Sequence, residues 1–206
     1  MKVKKTDSKL LLESIRVVDG KAPLLPYHQR RMDRVRRVLF AKSSPIKLEK
    51  ILGELELPSK GLFKLRIEYS DVVKRQELVP YLIKPVQSIR LVNADKVIYG
   101  KKYADRTGIR RCLEKKGDCD DILMTQRGHL TDASYANVAL FDGKHWYTPS
   151  WPLLRGTRRE ELLEKGIIRP SVIREKDLDS FQCIRLINAM LPWGEGPTLD
   201  ISAIRR

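Results

Sequence analysis

Four places in this sequence carry residue types that could do chemistry: Lys102, Arg31, Asp132 and the run Gly156-Thr157-Arg158. A lysine amine can form a Schiff base with a carbonyl compound once desolvation or a nearby cation favours its neutral form. Lys101-Lys102-Tyr103 follows the strand-like Lys96 to Tyr99, close to where two halves of the chain are expected to join. An ordinary surface lysine is the competing interpretation, because the chain holds 41 lysines and arginines. Gly156-Thr157-Arg158 opens a predicted helix whose free N–H groups and positive dipole end suit a phosphate, although a simply capped helix start has the same pattern. Asp132, in Leu130-Thr131-Asp132-Ala133-Ser134, is either a chemically active acid or a turn-capping one.

Arg31 belongs to a helix predicted over 27–40. At about 100° per residue, His28, Arg31, Met32, Val35, Val38 and Leu39 fall within an arc of roughly 120°, with Arg30, Arg34 and Arg37 opposite. Arg31 then either faces inward, where a guanidinium requires an anion or carboxylate, or sits at the stripe edge and snorkels to water. The remaining arginines are expected on a solvated face.

The elements that must position these residues divide into two halves, with a loosening of pattern over 92–99 and a junction placed at 94/95, giving domains 1–94 and 95–206. In the first half, a strand from Lys9 to Val18 ends at the turn dipeptide Asp19-Gly20, and Ala22 to Leu25 is expected to return as its hairpin partner. Pro26 then stops the sheet. Helices are predicted over 27–40 and 46–55, and extended stretches over 62–69 and 76–91. In the second half, 107–116 is predicted helical and closed by Gly117. Strands over 121–125, 129–131, 135–141 and 144–147 form a meander with turns at Arg127-Gly128 and Asp142-Gly143, and a helix runs from Gly156 to its stop at Gly166. The fold class is α+β or α/β.

Bulk properties narrow the function classes. No apolar run approaches the roughly 20 residues of a membrane span, and the basic start meets Leu10-Leu11-Leu12-Glu13 too soon for a signal-peptide core. Cys112, Cys119 and Cys183 are odd in number and lack metal-ligand spacing, so neither a disulfide framework nor a metal site is expected, and a cytoplasmic location is. The net charge of +15 suits an anionic cofactor, acidic substrates or nucleic acid; its even spread along the chain argues against a dedicated nucleic-acid arm.

Taken in order, these pieces resemble the class IV, or fold-type IV, pyridoxal phosphate enzymes, which include branched-chain and D-amino acid aminotransferases and aminodeoxychorismate lyase. Leu12-Glu13-Ser14-Ile15-Arg16-Val17 and His28-Gln29-Arg30-Arg31-Met32 resemble the opening strand and the His-x-x-Arg helix. Lys102-Tyr103-Ala104-Asp105-Arg106 resembles the segment bearing the Schiff-base lysine, above all its lyase version. Asp121-Ile122-Leu123, Gly128, Thr131-Asp132-Ala133-Ser134, Asn137, Asp142-Gly143, Tyr147-Thr148-Pro149 and Gly156-Thr157-Arg158-Arg159 follow the long central signature, and Leu186 to Pro192 is similar to the lyase-type substrate loop.

The resemblance spans nearly the whole chain and implies a two-domain fold of the D-amino acid aminotransferase type: a small N-terminal α+β domain, then a C-terminal domain with a β-meander or barrel and flanking helices. It implies pyridoxal 5'-phosphate on Lys102, phosphate contacts from Arg31, Gly156, Thr157 and Arg158, and Asp132 at the pyridine nitrogen. Asn188, Ala189 and Met190 would meet substrate, and the protein would be a homodimer acting on amino acids and 2-oxo acids. Amino transfer is the first expected activity. Pyruvate elimination from aminodeoxychorismate is the second, and a basic or cofactor-binding protein without turnover is the third. Asp132 stands where the family usually has glutamate, one methylene longer. Arg158 occupies a place often held by threonine, and Arg106 and Thr107 replace the tyrosine that follows the lysine in branched-chain enzymes.

Overall fold

In the computed structural model, residues 10–206 are described; Lys9 and the basic start before it lie outside the described residues. The chain divides into two compact units. One runs through Leu82 and regains Lys101–Asp105; the other comprises Ile83–Gly100 and Arg106–Arg206. The junction expected at 94/95 therefore falls inside the second unit, where the strand before it pairs with the strand that follows residue 120.

The first unit is an antiparallel sheet of β1 (Leu11–Val18), β2 (Leu62–Tyr69) and β3 (Val73–Pro80), with β1 at one edge, together with α1 (Leu25–Leu39) and the short α2 (Leu48–Gly53). Strand side chains alternate between faces, so Leu11, Glu13, Ile15 and Val17 of β1 share one. Leu11, Ile15 and Val17 join Met32, Leu48, Leu65, Ile67 and Tyr69 in the core. Val18 and Lys21 exchange backbone hydrogen bonds of 2.9 Å across Asp19 and Gly20, which both have positive φ. The expected hairpin partner over 22–25 is absent. Proline fits the first turn of a helix, where its missing N–H costs nothing, so Pro26 opens α1 instead of closing a sheet.

The outer edge of β1 is covered by the returning segment. Lys102 O accepts from Leu12 N at 2.9 Å, Ala104 N donates to Leu10 O at 2.9 Å, and Leu11 and Tyr103 form an antiparallel bridge. The backbone at Lys102 is thus a pinned edge pairing, while 96–99 is loop rather than strand.

The second unit contains β4 (Ile89–Asn93), α3 (Thr107–Leu113), β5 (Asp121–Gln126), β6 (His129–Ala133), β7 (Asn137–Phe141), β8 (Trp146–Pro149), α4 (Thr157–Glu164), β9 (Ile168–Ser171), β10 (Cys183–Ile187), β11 (Thr198–Asp200) and β12 (Ile204–Arg205). The strand order is β11-β10-β7-β6-β5-β4-β12, with β8 also pairing β7 and β9 pairing β8. β5 through β8 form the antiparallel meander read from the sequence, whereas β4, β9 and β12 pair in parallel with their neighbours. Leu123, Val138, Leu140, Ile184 and Leu186 are among the residues of its core. Among the described residues no helix is long and apolar enough to cross a membrane.

Candidate functional site

In the first unit, Arg31 faces inward and its partner is a carboxylate. The 3.6-residue period brings His28, Arg31 and Met32 onto the buried stripe of α1, against the β1 face that carries Glu13. Arg31 Nε donates to Glu13 Oε1 at 2.9 Å and Arg31 Nη2 donates to Oε2. His28 Nδ1 donates to the same Oε2 at 2.6 Å. Burial alone would raise the Glu13 pKa, but the Arg31 charge and the His28 hydrogen bond overcome it and hold the carboxyl at about 2. Burial chiefly lowers the pKa of His28, against the pull of Glu13, and the nearby charges of Arg31 and Lys102 lower it further. The imidazole is therefore neutral, with its proton on Nδ1 and Nε2 left as a buried lone pair without a protein partner. Lys102 itself is half-buried.

The solvated-face assignment of the other arginines holds for Arg30, Arg34 and Arg37 but fails for Arg36. Arg36 is buried and caps the carbonyls of Ser70, Ser44 and Asp71, the last two at 2.6 and 3.0 Å. Val38, expected inward, is 71% exposed because it lies in the last turn of α1, beyond the packed stripe.

In the second unit, Asp132 and the start of α4 are joined by a side chain. Asn137 pairs with Asp132 across the β6–β7 connection, and its Nδ2 donates to Asp132 Oδ1 at 2.6 Å and to Leu154 O at 2.7 Å. Leu154 N in turn donates to Asp132 Oδ2 at 2.9 Å. Two residues on, Gly156 is the N-cap of α4. A Cβ at Gly156 would lie 2.1 Å from Asn137 Oδ1, so any other residue there would have to push the Asn137 amide aside.

Burial raises the Asp132 pKa to about 7, with the hydrogen bonds from Asn137 and Leu154 and the more remote charge of Arg159 only partly opposing it. Arg159 donates to Thr148 Oγ1 at 3.2 Å and Pro149 O at 2.9 Å, which ties the first turn of α4 to the end of β8. Arg158 pairs through Nη1 with Glu161, whose other oxygen accepts from Lys165 at 2.7 Å, while Arg158 Nε is buried without a partner. Asn188 follows β10 and folds its Oδ1 onto Met190 N at 2.8 Å, so that backbone amide is turned inward on its own loop. Ala189 and Met190 are buried.

Of the sequence candidates, Asp132, Gly156, Thr157 and Arg158 thus come together in the second unit, and Arg31 lies with Glu13 and His28 in the first. Glu13, Asn137 and Arg159 stood inside recognised segments without an assigned role. Period-two alternation could have flagged Glu13, since it shares a strand face with Leu11, Ile15 and Val17.

Residues 75–195 match the amino-transferase class IV family. An uncharacterized protein of Haemophilus influenzae is 34% identical over 183 residues, covering 87% of this chain and 97% of its own length. The chain belongs to the class IV aminotransferase family. It is accordingly a pyridoxal-phosphate-dependent enzyme by family, with the mixed sheet-and-helix fold that membership implies. A Haemophilus somnus 129PT structure, proposed to be a 4-amino-4-deoxychorismate lyase, is 34% identical with a TM-score of 0.84 and covers 89% of this chain and 97% of its own. A hypothetical aminotransferase of Mycobacterium tuberculosis in a PLP-bound form shares the fold at 19% identity and a TM-score of 0.74, covering 100% of this chain and 88% of its own.

Proposed function

We propose that this class IV enzyme binds pyridoxal 5'-phosphate through Lys102 and transfers an amino group from an amino acid to a 2-oxo acid. The observation that carries the proposal is the Asp132 site: a buried carboxylate whose hydrogen-bond donors are all neutral, linked through Leu154 to the segment that opens an anion-ready helix start. A protonated pyridine nitrogen offers the missing positive charge. The first-turn N–H groups of α4 and the unpartnered Nε of Arg158 are donors suited to a phosphate. These residues fit the cofactor.

When bound, pyridoxal phosphate supplies a carbonyl for amines and a ring that accepts electrons. Lys102 is the residue that would hold the cofactor covalently, and its amino group would serve as the base that takes the proton from the substrate α-carbon and returns one at the end. Asp132, ionised against the ring nitrogen, keeps a proton on that atom. Arg31, oriented by Glu13, would offer donors to a phosphate, and so would the Gly156-Thr157-Arg158 start. Asn188, Ala189 and Met190 shape the substrate end.

The test is a visible spectrum of the purified protein followed by borohydride reduction and peptide mapping. A chromophore fixed to Lys102 is expected; its fixation elsewhere, or no chromophore with cofactor added, overturns the proposal. The Haemophilus somnus similarity favours a second reading, pyruvate elimination from 4-amino-4-deoxychorismate. Pyruvate released from that substrate without an amino acceptor would select elimination, whereas turnover that requires a 2-oxo acid selects transfer. A homodimer in the cytoplasm completes the proposal.

A further inference from the structure

We propose that Asn137 is a positioning residue, setting the register between the ring-pairing acid Asp132 and the phosphate-holding start of α4; this rests on the cofactor reading above. Both groups that Asn137 Nδ2 meets, Asp132 Oδ1 and Leu154 O, are acceptors at 2.6 and 2.7 Å, so the nitrogen must face them and Oδ1 must face the other way. On that other side lies Gly156, where an added Cβ would stand 2.1 Å from Oδ1. One side chain therefore touches the acid, the loop carbonyl and the N-cap residue of α4.

The bond from Leu154 N to Asp132 Oδ2 at 2.9 Å closes a ring of three hydrogen bonds among Asp132, Asn137 and Leu154. Asp132 and Asn137 are also paired across a tight connection, with Ala133 N donating to Ala136 O at 2.9 Å, so neither can shift without the other. Arg159, the charged group acting on Asp132, anchors the far side of the α4 start to β8. Removing Asn137 deletes two of the three links. It leaves the 153–156 segment joined to the acid only through the backbone N–H groups of Leu153 and Leu154.

A purely structural asparagine would affect folding alone, whereas a positioning one links Asp132 ionisation to phosphate affinity. The experiment uses the full chain stripped of cofactor, titrated by absorbance with pyridoxal 5'-phosphate and, in parallel, with pyridoxal. Asn137→Ala should weaken pyridoxal 5'-phosphate binding about tenfold, the scale of a lost hydrogen bond to a charged group, and pyridoxal binding less. It should also raise the pH at which the bound cofactor's absorption changes, since a donor to the carboxylate is gone. Asn137→Ser, which keeps one donor, should fall between the two and serves if the alanine variant does not fold.

Gly156→Ala, disruptive in the parent, should cost less than about twofold in the Asn137→Ala background, because the atom it collides with has been removed. Parent-like phosphate affinity and pH profile in Asn137→Ala, or a Gly156→Ala effect undiminished in the double variant, overturns the proposal while leaving the cofactor reading intact. A parent protein that binds no cofactor overturns both.

Discussion

Glu13 in the first unit and Asp132 in the second are both fully enclosed carboxyls, yet their pKa values diverge to about 2 and about 7. Burial raises both. Glu13 has a guanidinium gripping it through two nitrogens and a histidine N–H besides, so the charged form wins. Asp132 receives hydrogen bonds from neutral amides, and no basic group among the described residues makes an ion pair with it within 4 Å. A buried acid that already has its cation is finished architecture; one that lacks a cation is poised to receive one. This contrast separates the carboxyl that shapes an arginine from the carboxyl proposed to meet a cofactor.

Substitution separates them most strongly. Glu13→Ala strands the Arg31 charge inside the first unit and should cost about 3–5 kcal/mol of stability, measured by denaturant unfolding of the apoprotein. A loss below about 1 kcal/mol would mean that Arg31 finds water or another anion at once, and the architectural role of Glu13 would fall. Asp132→Asn should do the reverse. It removes a carboxyl that is only half ionised near neutrality, so apoprotein stability at pH 7 should hold, while turnover falls by about 10²–10³, the scale of one lost electrostatic contact to reacting charge. Unchanged turnover would remove Asp132 from the proposed site.

How much of this contrast the sequence disclosed follows from range. The place of Arg31 on or beside the inward stripe was legible because three- and four-residue spacing is local, though that spacing left burial and snorkelling both open; the meander and the α4 start with its glycine were legible for the same reason. Glu13 as the partner was not, since it lies 18 residues from Arg31 in the chain and the two meet only after β1 packs on α1. Arg36 escaped for the same reason: its acceptors include the backbone carbonyls of residues 70 and 71. Side-chain type cannot reveal a carbonyl. Lys102 lies far along the chain from its pairing with Leu12 across the β1 edge, and only the family resemblance singled it out beforehand. The meander also hid a link, because Asn137 reaches Leu154 through the fold and not through any local pattern.

pH sharpens the same comparison with a smaller, graded effect. Glu13 has a native pKa depressed from 4.5 to about 2, so its contribution is complete above pH 4.5 and drains away as pH falls through about 2. Asp132 is raised from 3.8 to about 7, so it favours the native state fully below pH 3.8, and that contribution is lost as pH rises through about 7. Each should be worth on the order of 3 kcal/mol across its window. Unfolding measured from pH 2 to 8 should show both limbs; Asp132→Asn should flatten only the upper and Glu13→Gln only the lower. If one substitution flattens both, the two acids are coupled and the contrast fails.

The smallest expected effect tests whether the presence of a cation matters only under burial. Glu161 holds Arg158, almost enclosed, and also Lys165, whose side chain is 58% exposed. An exposed pair one helical turn apart gains little, because water and salt screen it and ordering a long side chain costs entropy. Lys165→Met should therefore change stability by less than about 0.5 kcal/mol. Glu161→Gln weakens the hold on an enclosed guanidinium whose Nε already lacks a partner, and should cost more than the lysine change does. Comparing the two variants in cofactor titrations adds a further measure. Arg158 released from Glu161 is expected to alter phosphate affinity, whereas the loss of Lys165 is not. Equal effects from both would show that Arg158 is held by the helix packing itself and that its pairing with Glu161 contributes nothing to the proposed phosphate contact.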